Sequence, residues 1–375
     1  MKKAGIITFH FADNYGAVLQ AYALEHTIEK LGIKTEIIDF VPKKLKEPYI
    51  LFPNTKNMLV NKGLSYTIRN TLVRLFYIKK NILKIRSFDA FRNTYLNLSE
   101  KRFKDTTELF SEKFDYNYCI TGSDQVWNPN FFSHVKGAYF LDFADKKTKK
   151  ISYAASIAER VDKSFHRDYS NYLATFNHIS VREKSAKEFL EDKTDKNIEI
   201  TLDPTLLLNK EEWNRISSNK KYKFKYILVY DLTPDPLIAR IANKLAKETG
   251  YKILSYSRRN NYVAWYGSFS SYNPTAFLGL FANAEFVITN SFHGTVFSII
   301  YNKPFYTVPH KTRGSRMIDF LNLLDINNRI IRTDEDIKDI SDIIDYDKVE
   351  SNLLEQKNKS LAFLKKALDV EVEDY

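Results

Sequence analysis

The chain opens on AGIITFH, FADNYG, AVLQAYALEHTIEKLG and IKTEIIDF: an apolar run, a glycine-bearing turn, an amphipathic stretch and a second apolar run. In the third segment Val18, Leu19, Tyr22, Ala23 and Leu24 share one side of a helix. Ile28 and Leu31 follow a turn or two on, and Gly32 stands where a helix stops. A strand, a helix and a second strand in such short compass form a crossover unit, which calls for an α/β fold with a parallel sheet.

The pattern continues through YNYCIT, KISYAAS, HISVR and IEITLDP, and starts again after the lysine-rich linker SSNKKYKFK. Strand YILVYDL, helix PLIARIANKLAKETG, strand YKILSYS, helix NPTAFLGLFANA, strand EFVITN, a helix from GTVFSII and strand KPFYTVP then succeed one another. At 375 residues the chain suits two cores rather than one. The reading is two Rossmann-like, doubly wound domains, 1–218 and 219–345. A terminal helix over 346–375 is expected to pack back on the first, and a basic helical insert lies at about 41–104. Ligands of such sheets collect at the carboxyl ends of the strands.

The net charge is +11, and residues 41–104 carry fifteen Lys and Arg against three Asp and Glu, so the basicity is regional. Basic residues interleaved with aromatics, as in RNTLVRLFYIKKNILKIRSF, fit a solvated helix pair, a surface of anionic lipid headgroups or an anionic glycan carrier, or nucleic acid. No nucleic-acid-reading motif accompanies the segment, so no nucleic-acid partner is expected. Apolar runs are strand-length, well short of the ~20 residues of a spanning helix. The lysines of the N-terminus lead straight into a strand-like run rather than a signal peptide, and the single Cys119 suits a reducing compartment. A cytoplasmic protein is expected.

Three turns carry candidate chemistry. In VITNSFHGTVFSII, residues Asn290 to Gly294 join a buried strand to a helix; Gly294 allows close backbone approach, the first-turn amides attract an anion, and His293 can bond it or relay a proton. In FADNYGAVLQA, Asp13 or Asn14 can cap the helix that Tyr15 and Gly16 open, and Gln20 lies one turn in. In TGSDQVWNP, Gly122, Ser123, Asp124 and Gln125 follow a strand, and Asp124 suits orienting or deprotonating a sugar hydroxyl. Trp127 there is read either as an apolar platform for a pyranose or as a core residue. Arg182 in SVREKSA and Arg313 and Arg316 in VPHKTRGSRMIDFL offer planar guanidinium groups for carboxylate or phosphate. Phosphate-loop, zinc-protease, paired-cysteine and G-x-S-x-G motifs are missing, so metal and nucleophilic-cysteine chemistry is not expected.

Taken in order, TFHFADNYGAVLQAYAL, ITGSDQVWNP, ISYAASIA, ISVREKSAKEFL, LDPTLLL, AEFVITNSFHGTVFSIIYNKPF and RGSRMIDFL resemble the bacterial polysaccharide pyruvyl transferases across nearly the whole chain. The resemblance implies a GT-B-like fold, with two Rossmann-like domains facing a cleft. It implies transfer from phosphoenolpyruvate onto two hydroxyls of a hexose, such as the 4- and 6-hydroxyls of galactose, in surface or capsular polysaccharide synthesis. Phosphoenolpyruvate is then a co-substrate, and no cofactor is required. His293 with Gly294 would hold the phosphate or give the proton, Arg182 would face the donor from the other domain, and Asp124 would meet the acceptor hydroxyl. Asn14, Tyr15, Gly16, Gln20, Gly122, Ser123, Gln125 and Trp127 would line the substrate, as would Ser291, Arg313, Ser315 and Arg316. Some family members carry an arginine two residues before this histidine. Ser291 stands there in this chain, so Arg258, Arg313 or Arg316 must supply the charge.

The acceptor in such systems is often a lipid-linked oligosaccharide, which would give the basic segment a peripheral place at the inner face of the cytoplasmic membrane. Two other readings remain open on the residues alone: a GT-B glycosyltransferase using a nucleotide sugar, and a non-catalytic glycan-binding protein of the same pathway.

Overall fold

The computed structural model describes residues 2–49, 59, 63–65, 67–69, 71, 78–129, 135, 137–157, 166–218, 221–256, 265–268, 273–310, 314–337 and 344–371. Part of the basic segment 41–104, between residues 50 and 77, therefore lies outside the described residues. The part described there includes a helix at Ile78–Tyr95 that exposes Lys79, Lys80 and Arg86. No described helix is long and apolar enough to cross a membrane.

The chain forms two compact units. Unit 1 comprises 1–204, 272–274 and 361–375; unit 2 comprises 205–271 and 275–360. Unit 1 is built on a sheet of β1 (Lys3–Ile7), β2 (Lys34–Ile37), β3 (Tyr118–Thr121), β4 (Lys149–Ala155), β5 (His178–Val181) and β6 (Ile198–Ile200). Its spatial order is β2-β1-β3-β4-β5-β6, and each neighbouring pair is parallel. Unit 2 carries β7 (Tyr226–Tyr230), β8 (Lys252–Ser255), β9 (Trp265–Ser268), β10 (Phe286–Thr289) and β11 (Phe305–Thr307), again all parallel, in the order β11-β10-β7-β8-β9. The expected α/β class with two Rossmann-like units is the one found.

The central strands are covered on both faces. Every residue of β3, β7 and β10 is buried, which is why they read as unbroken apolar runs in the sequence. Helix α1 (Tyr15–Lys30) starts where the Asn14 side chain accepts from Ala17 N at 3.4 Å, and it closes ahead of Gly32, whose φ of 82° is a left-handed position that glycine tolerates. Asp13 is not the cap. In unit 2 the helix Pro236–Thr249 (α2) has Asp235 as its cap and Gly250 in the left-handed conformation at its end. Helix Phe292–Ile300 (α3) follows β10 through the cap Ser291, and helix Ser315–Leu323 (α4) follows β11.

The last helix, Tyr346–Ala367 (α5), ends in residues that belong to unit 1. Phe363, Leu364, Ala367 and Leu368 are buried there, and Phe363 meets the ring of Tyr153. The hydroxyl of Tyr118 donates to Leu368 O at 2.5 Å, and the Lys149 ammonium pairs with Asp369 at 2.6 Å.

Candidate functional site

In a doubly wound sheet the strand order reverses at one point, and the loops leaving the two strands on either side of it open a crevice. In unit 1 the reversal lies between β1 and β3, and in unit 2 between β7 and β10. The turns singled out from the sequence fall at these two places. Asn14 to Gly16 follows β1, Gly122 to Gln125 follows β3, and Ser291 to Gly294 follows β10.

At the unit 2 crevice Asn290 stitches the two loops together. Its amide donates to Asp231 Oδ1 at 2.8 Å and to Thr233 O at 2.6 Å, while Leu232 N donates to its Oδ1 at 2.9 Å. Ser291 caps α3 by accepting from Gly294 N at 3.4 Å, which puts His293 in the first turn. The imidazole is half-buried, edge-on to Phe292 at 5.3 Å between centroids. Position 294 admits only glycine, because an added Cβ would collide with Thr289 Oγ1 and with the Tyr230 ring. The backbone at the head of α3 thereby lies close against the ends of β7 and β10. First-turn N–H groups have no intrahelical acceptors and carry the positive end of the helix dipole, so the arrangement suits an anion. Arg316 is half-buried in the first turn of α4, whose first residue is Ser315; Arg258, Arg313 and the Ser315 side chain lie outside the described residues.

Asp231, which the sequence reading did not single out, is 4% exposed. Burial pushes its carboxyl up to about 6, against the opposite pull of the Asn290 amide. A carboxyl whose pKa is raised on folding favours the folded state at low pH. Its contribution is complete below the ordinary carboxylate range and is lost as the pH climbs through about 6. Asp231→Asn keeps an acceptor for Asn290 and removes the titration. The difference in stability between the variant and the wild-type protein should therefore change between about pH 4 and pH 7, as the wild type loses on the order of 1–3 kcal/mol from this group. Parallel melting curves of the two proteins would refute the assignment.

At the unit 1 crevice a chain of hydrogen bonds crosses from helix to strand ends. The Gln20 amide donates to Thr8 Oγ1 at 2.8 Å and to Ala17 O at 2.9 Å, and the Thr8 hydroxyl donates to Ser123 O at 2.9 Å. Gln20 is therefore fully buried, and its Oε1 has no partner among the described residues. Tyr15 is buried against Phe88, and Gly16 beside it is buried too. Gly122 packs so closely that a Cβ would stand 3.1 Å from that of Thr8. Asp124 is half-buried with a φ of 81°, a left-handed conformation that an aspartate tolerates better than most residues. Gln125 N donates to Asp124 Oδ1 at 2.8 Å, and Gln125 Oε1 accepts from Asn128 at 3.2 Å.

Two expectations change here. Trp127 is fully buried: its ring stacks on Phe140 at 5.3 Å, meets Phe176 edge-on, and its indole N–H donates to Tyr139 O at 3.0 Å. With no face to offer a pyranose, it is a core residue. Arg182 leaves β5 with a side chain only 3% exposed, and its guanidinium bonds Asp203 at 2.5 Å and Ser123 Oγ at 3.3 Å, with Glu183 3.9 Å away. Burial works against the charge, and Asp203 and Glu183 outweigh it. Arg182 is thus tied to the ends of β3 and β6 within unit 1, where it holds the Ser123–Asp124 turn.

The same edge gathers residues that the sequence reading passed over. Arg92 donates to Asp13 at 2.9 Å and Lys46 lies 3.6 Å from the same carboxylate, while Asp39 joins buried His10 at 3.0 Å to Arg102 at 2.6 Å. Burial tends to raise the Asp39 carboxyl, but His10 and Arg102 prevail and hold it below the usual range. An aspartate directly after a strand was the signal available for Asp231, and LDP for Asp203. Among the described residues, no group of three or more His, Cys, Asp or Glu is placed to hold a metal ion.

No curated protein matches the sequence. Among solved structures, one described as a UDP-N-acetylglucosamine 2-epimerase from Listeria monocytogenes is 11% identical, with 100% of each chain covered and a TM-score of 0.52. The UDP-GlcNAc 2-epimerase of Methanocaldococcus jannaschii is 12% identical over 96% of this chain and 93% of that one, with a TM-score of 0.47. Glycosyltransferase SsfS6 of Streptomyces sp. SF2575, solved with thymidine diphosphate, is 10% identical over 98% and 99%, with a TM-score of 0.43. At such identities the first likeness shows the fold alone, and it agrees with the GT-B-like class expected from the sequence. The family model for polysaccharide pyruvyl transferases matches residues 14–312, from the cap of α1 to beyond β11. The turns Asn14–Gly16, Gly122–Gln125 and Ser291–Gly294 lie inside that span, and the chain belongs to the polysaccharide pyruvyl transferase family.

Proposed function

We propose that the protein moves the pyruvyl unit of phosphoenolpyruvate onto two hydroxyls of a hexose in the synthesis of a surface polysaccharide. The observation that carries this reading is the head of α3 at the β7/β10 crevice, where His293 and the first-turn backbone meet beside a position that only glycine can fill. Protonation of the donor's methylene carbon leaves a cationic centre at the second carbon, which one hydroxyl attacks. Departure of phosphate and attack by the second hydroxyl close the ketal, and the two hydroxyl protons are released. Within unit 2, His293 gives the proton to the methylene carbon and the α3 terminus takes the phosphate; within unit 1, Asp124 is the group suited to accept from a sugar hydroxyl. Arg182 serves this scheme indirectly, by holding the turn that carries Asp124.

The test is a melting experiment with candidate donors. Phosphoenolpyruvate at about a hundred times its dissociation constant should stabilise the protein by ~2.7 kcal/mol, and UDP- or GDP-sugars should not. A shift with a nucleotide sugar and none with phosphoenolpyruvate or phosphate would replace this reading with a nucleotide-sugar glycosyltransferase. If no donor shifts the transition, donor binding itself is refuted.

A further inference from the structure

We propose that unit 1 binds the surface of an anionic lipid bilayer through Leu64, Ile68 and Arg69 and through the exposed stripe of Lys79, Leu83 and Arg86. Residues 48–88 contain eight Lys and Arg and no Asp or Glu, where the chain's 46 acids in 375 residues would place about five in a stretch of that length. Of the nine large apolar side chains that are exposed among the described residues, four belong to the same stretch: Leu59, Leu64, Ile68 and Leu83. Cations and exposed aliphatic groups thus share one segment of the chain.

The helix Ile78–Tyr95 is anchored through its second half. Phe88 packs on Tyr15 at 5.2 Å, Phe91 meets Tyr22 edge-on at 6.4 Å, and Arg92 donates to Asp13 at 2.9 Å. None of the ten residues before Phe88 is buried. Lys79, Leu83 and Arg86 are spaced four and three apart, so they lie on one stripe of the helix, and all three are exposed, Leu83 to 56%. Around Thr67 the usual order of a soluble helix is reversed. Leu64 and Ile68, one turn apart, are 63% and 51% exposed, while Thr67 is buried with its hydroxyl donating to Gly63 O at 2.8 Å. Exposed Arg69, Lys79 and Arg86 form no ion pair among the described residues.

A helix face that meets only water is built differently in this chain. Elsewhere lysines find an acid one turn away, as in Lys184–Glu188, Lys187–Glu191 and Glu355–Lys359. Unmatched cations repel one another and gain beside a fixed negative surface. A nucleic acid supplies that charge but offers exposed Leu64, Ile68 and Leu83 nothing apolar to enter. An anionic bilayer supplies both, headgroup charge for the cations and the acyl boundary for the aliphatic side chains.

Co-sedimentation of the full chain with vesicles tests the surface. Vesicles of phosphatidylglycerol and phosphatidylcholine should carry the protein down, and vesicles of phosphatidylcholine alone should leave most of it in solution. Lys79→Gln with Arg86→Gln should weaken binding roughly fivefold for each cation lost. Leu64→Gln with Ile68→Gln should weaken it at least about tenfold, the factor that burial of one aliphatic side chain brings. Lys221→Gln with Lys223→Gln, which removes the same charge at exposed positions elsewhere, should bind like wild type. No sedimentation with the anionic vesicles, undiminished binding by the Leu64 and Ile68 variant, or equal weakening by the Lys221 and Lys223 variant would overturn the surface. Duplex DNA that held the protein more tightly than the vesicles would assign the cations to nucleic acid instead. The vesicles contain neither donor nor acceptor, so failure of the pyruvyl-transfer reading would leave this result unaffected.

Discussion

His293→Ala should lower the rate of phosphate release from phosphoenolpyruvate in the presence of a hexoside acceptor by about 10²–10⁴-fold, the usual range for a lost general acid. The side chain occupies the first turn of a helix whose cap is Ser291 and whose next residue is Gly294, so its removal leaves the backbone cradle in place. The loss should therefore fall on kcat, with KM for phosphoenolpyruvate nearly unchanged. The opposite pattern, a raised KM with kcat preserved, would mean that the imidazole binds the donor without giving it a proton. Full activity in the variant would remove His293 from the chemistry altogether.

The largest stability effect is expected at Arg182. Arg182→Met removes a cation whose side chain is 3% exposed and leaves Asp203, fully buried at its side chain, and Glu183 without their counter-charge. Breaking one side of such a pair typically costs about 3–5 kcal/mol. For a unit of this size that lowers the melting temperature by roughly 6–20 °C. Adding Asp203→Asn should restore much of it, because the uncompensated carboxylate is then neutral. A calorimetric transition for Arg182→Met within about 1 kcal/mol of wild type would show that the pair is not buried in solution. The double variant also separates stability from catalysis: if the ion pair acts by holding the Ser123–Asp124 turn, activity should stay low even where the melting temperature recovers.

The strands were legible because parallel sheets buried on both faces demand runs such as YILVY and FVIT, which carry the signal in composition alone. β9, at Trp265–Ser268, was not read from the sequence: WYGS has neither alternation nor an aliphatic run, and its place in the sheet depends on pairing with β8. The turns at the crevices were legible for a local reason, since each joins a strand to a small or polar residue and a glycine. Their partners were not. Arg182 meets Asp203 only because β5 and β6 are neighbours, and Asn290 meets Asp231, 59 residues away, only because β10 pairs with β7. Trp127 shows the same limit from the other side. Its residue type suited both a sugar platform and a core, and only the stacking of Phe140 on its ring decides between them.

Unit 1 is not finished by its own first two hundred residues. Phe363, Leu364 and Leu368, which close over its sheet near Tyr118 and Tyr153, come after residues 275–360 of unit 2 in the chain. On the ribosome the second unit is therefore fully synthesised while the first still waits for its seal. A fragment cut at residue 204 would leave those tyrosines facing water, so the two units are interleaved along the chain and cannot be harvested as independent pieces from that cut.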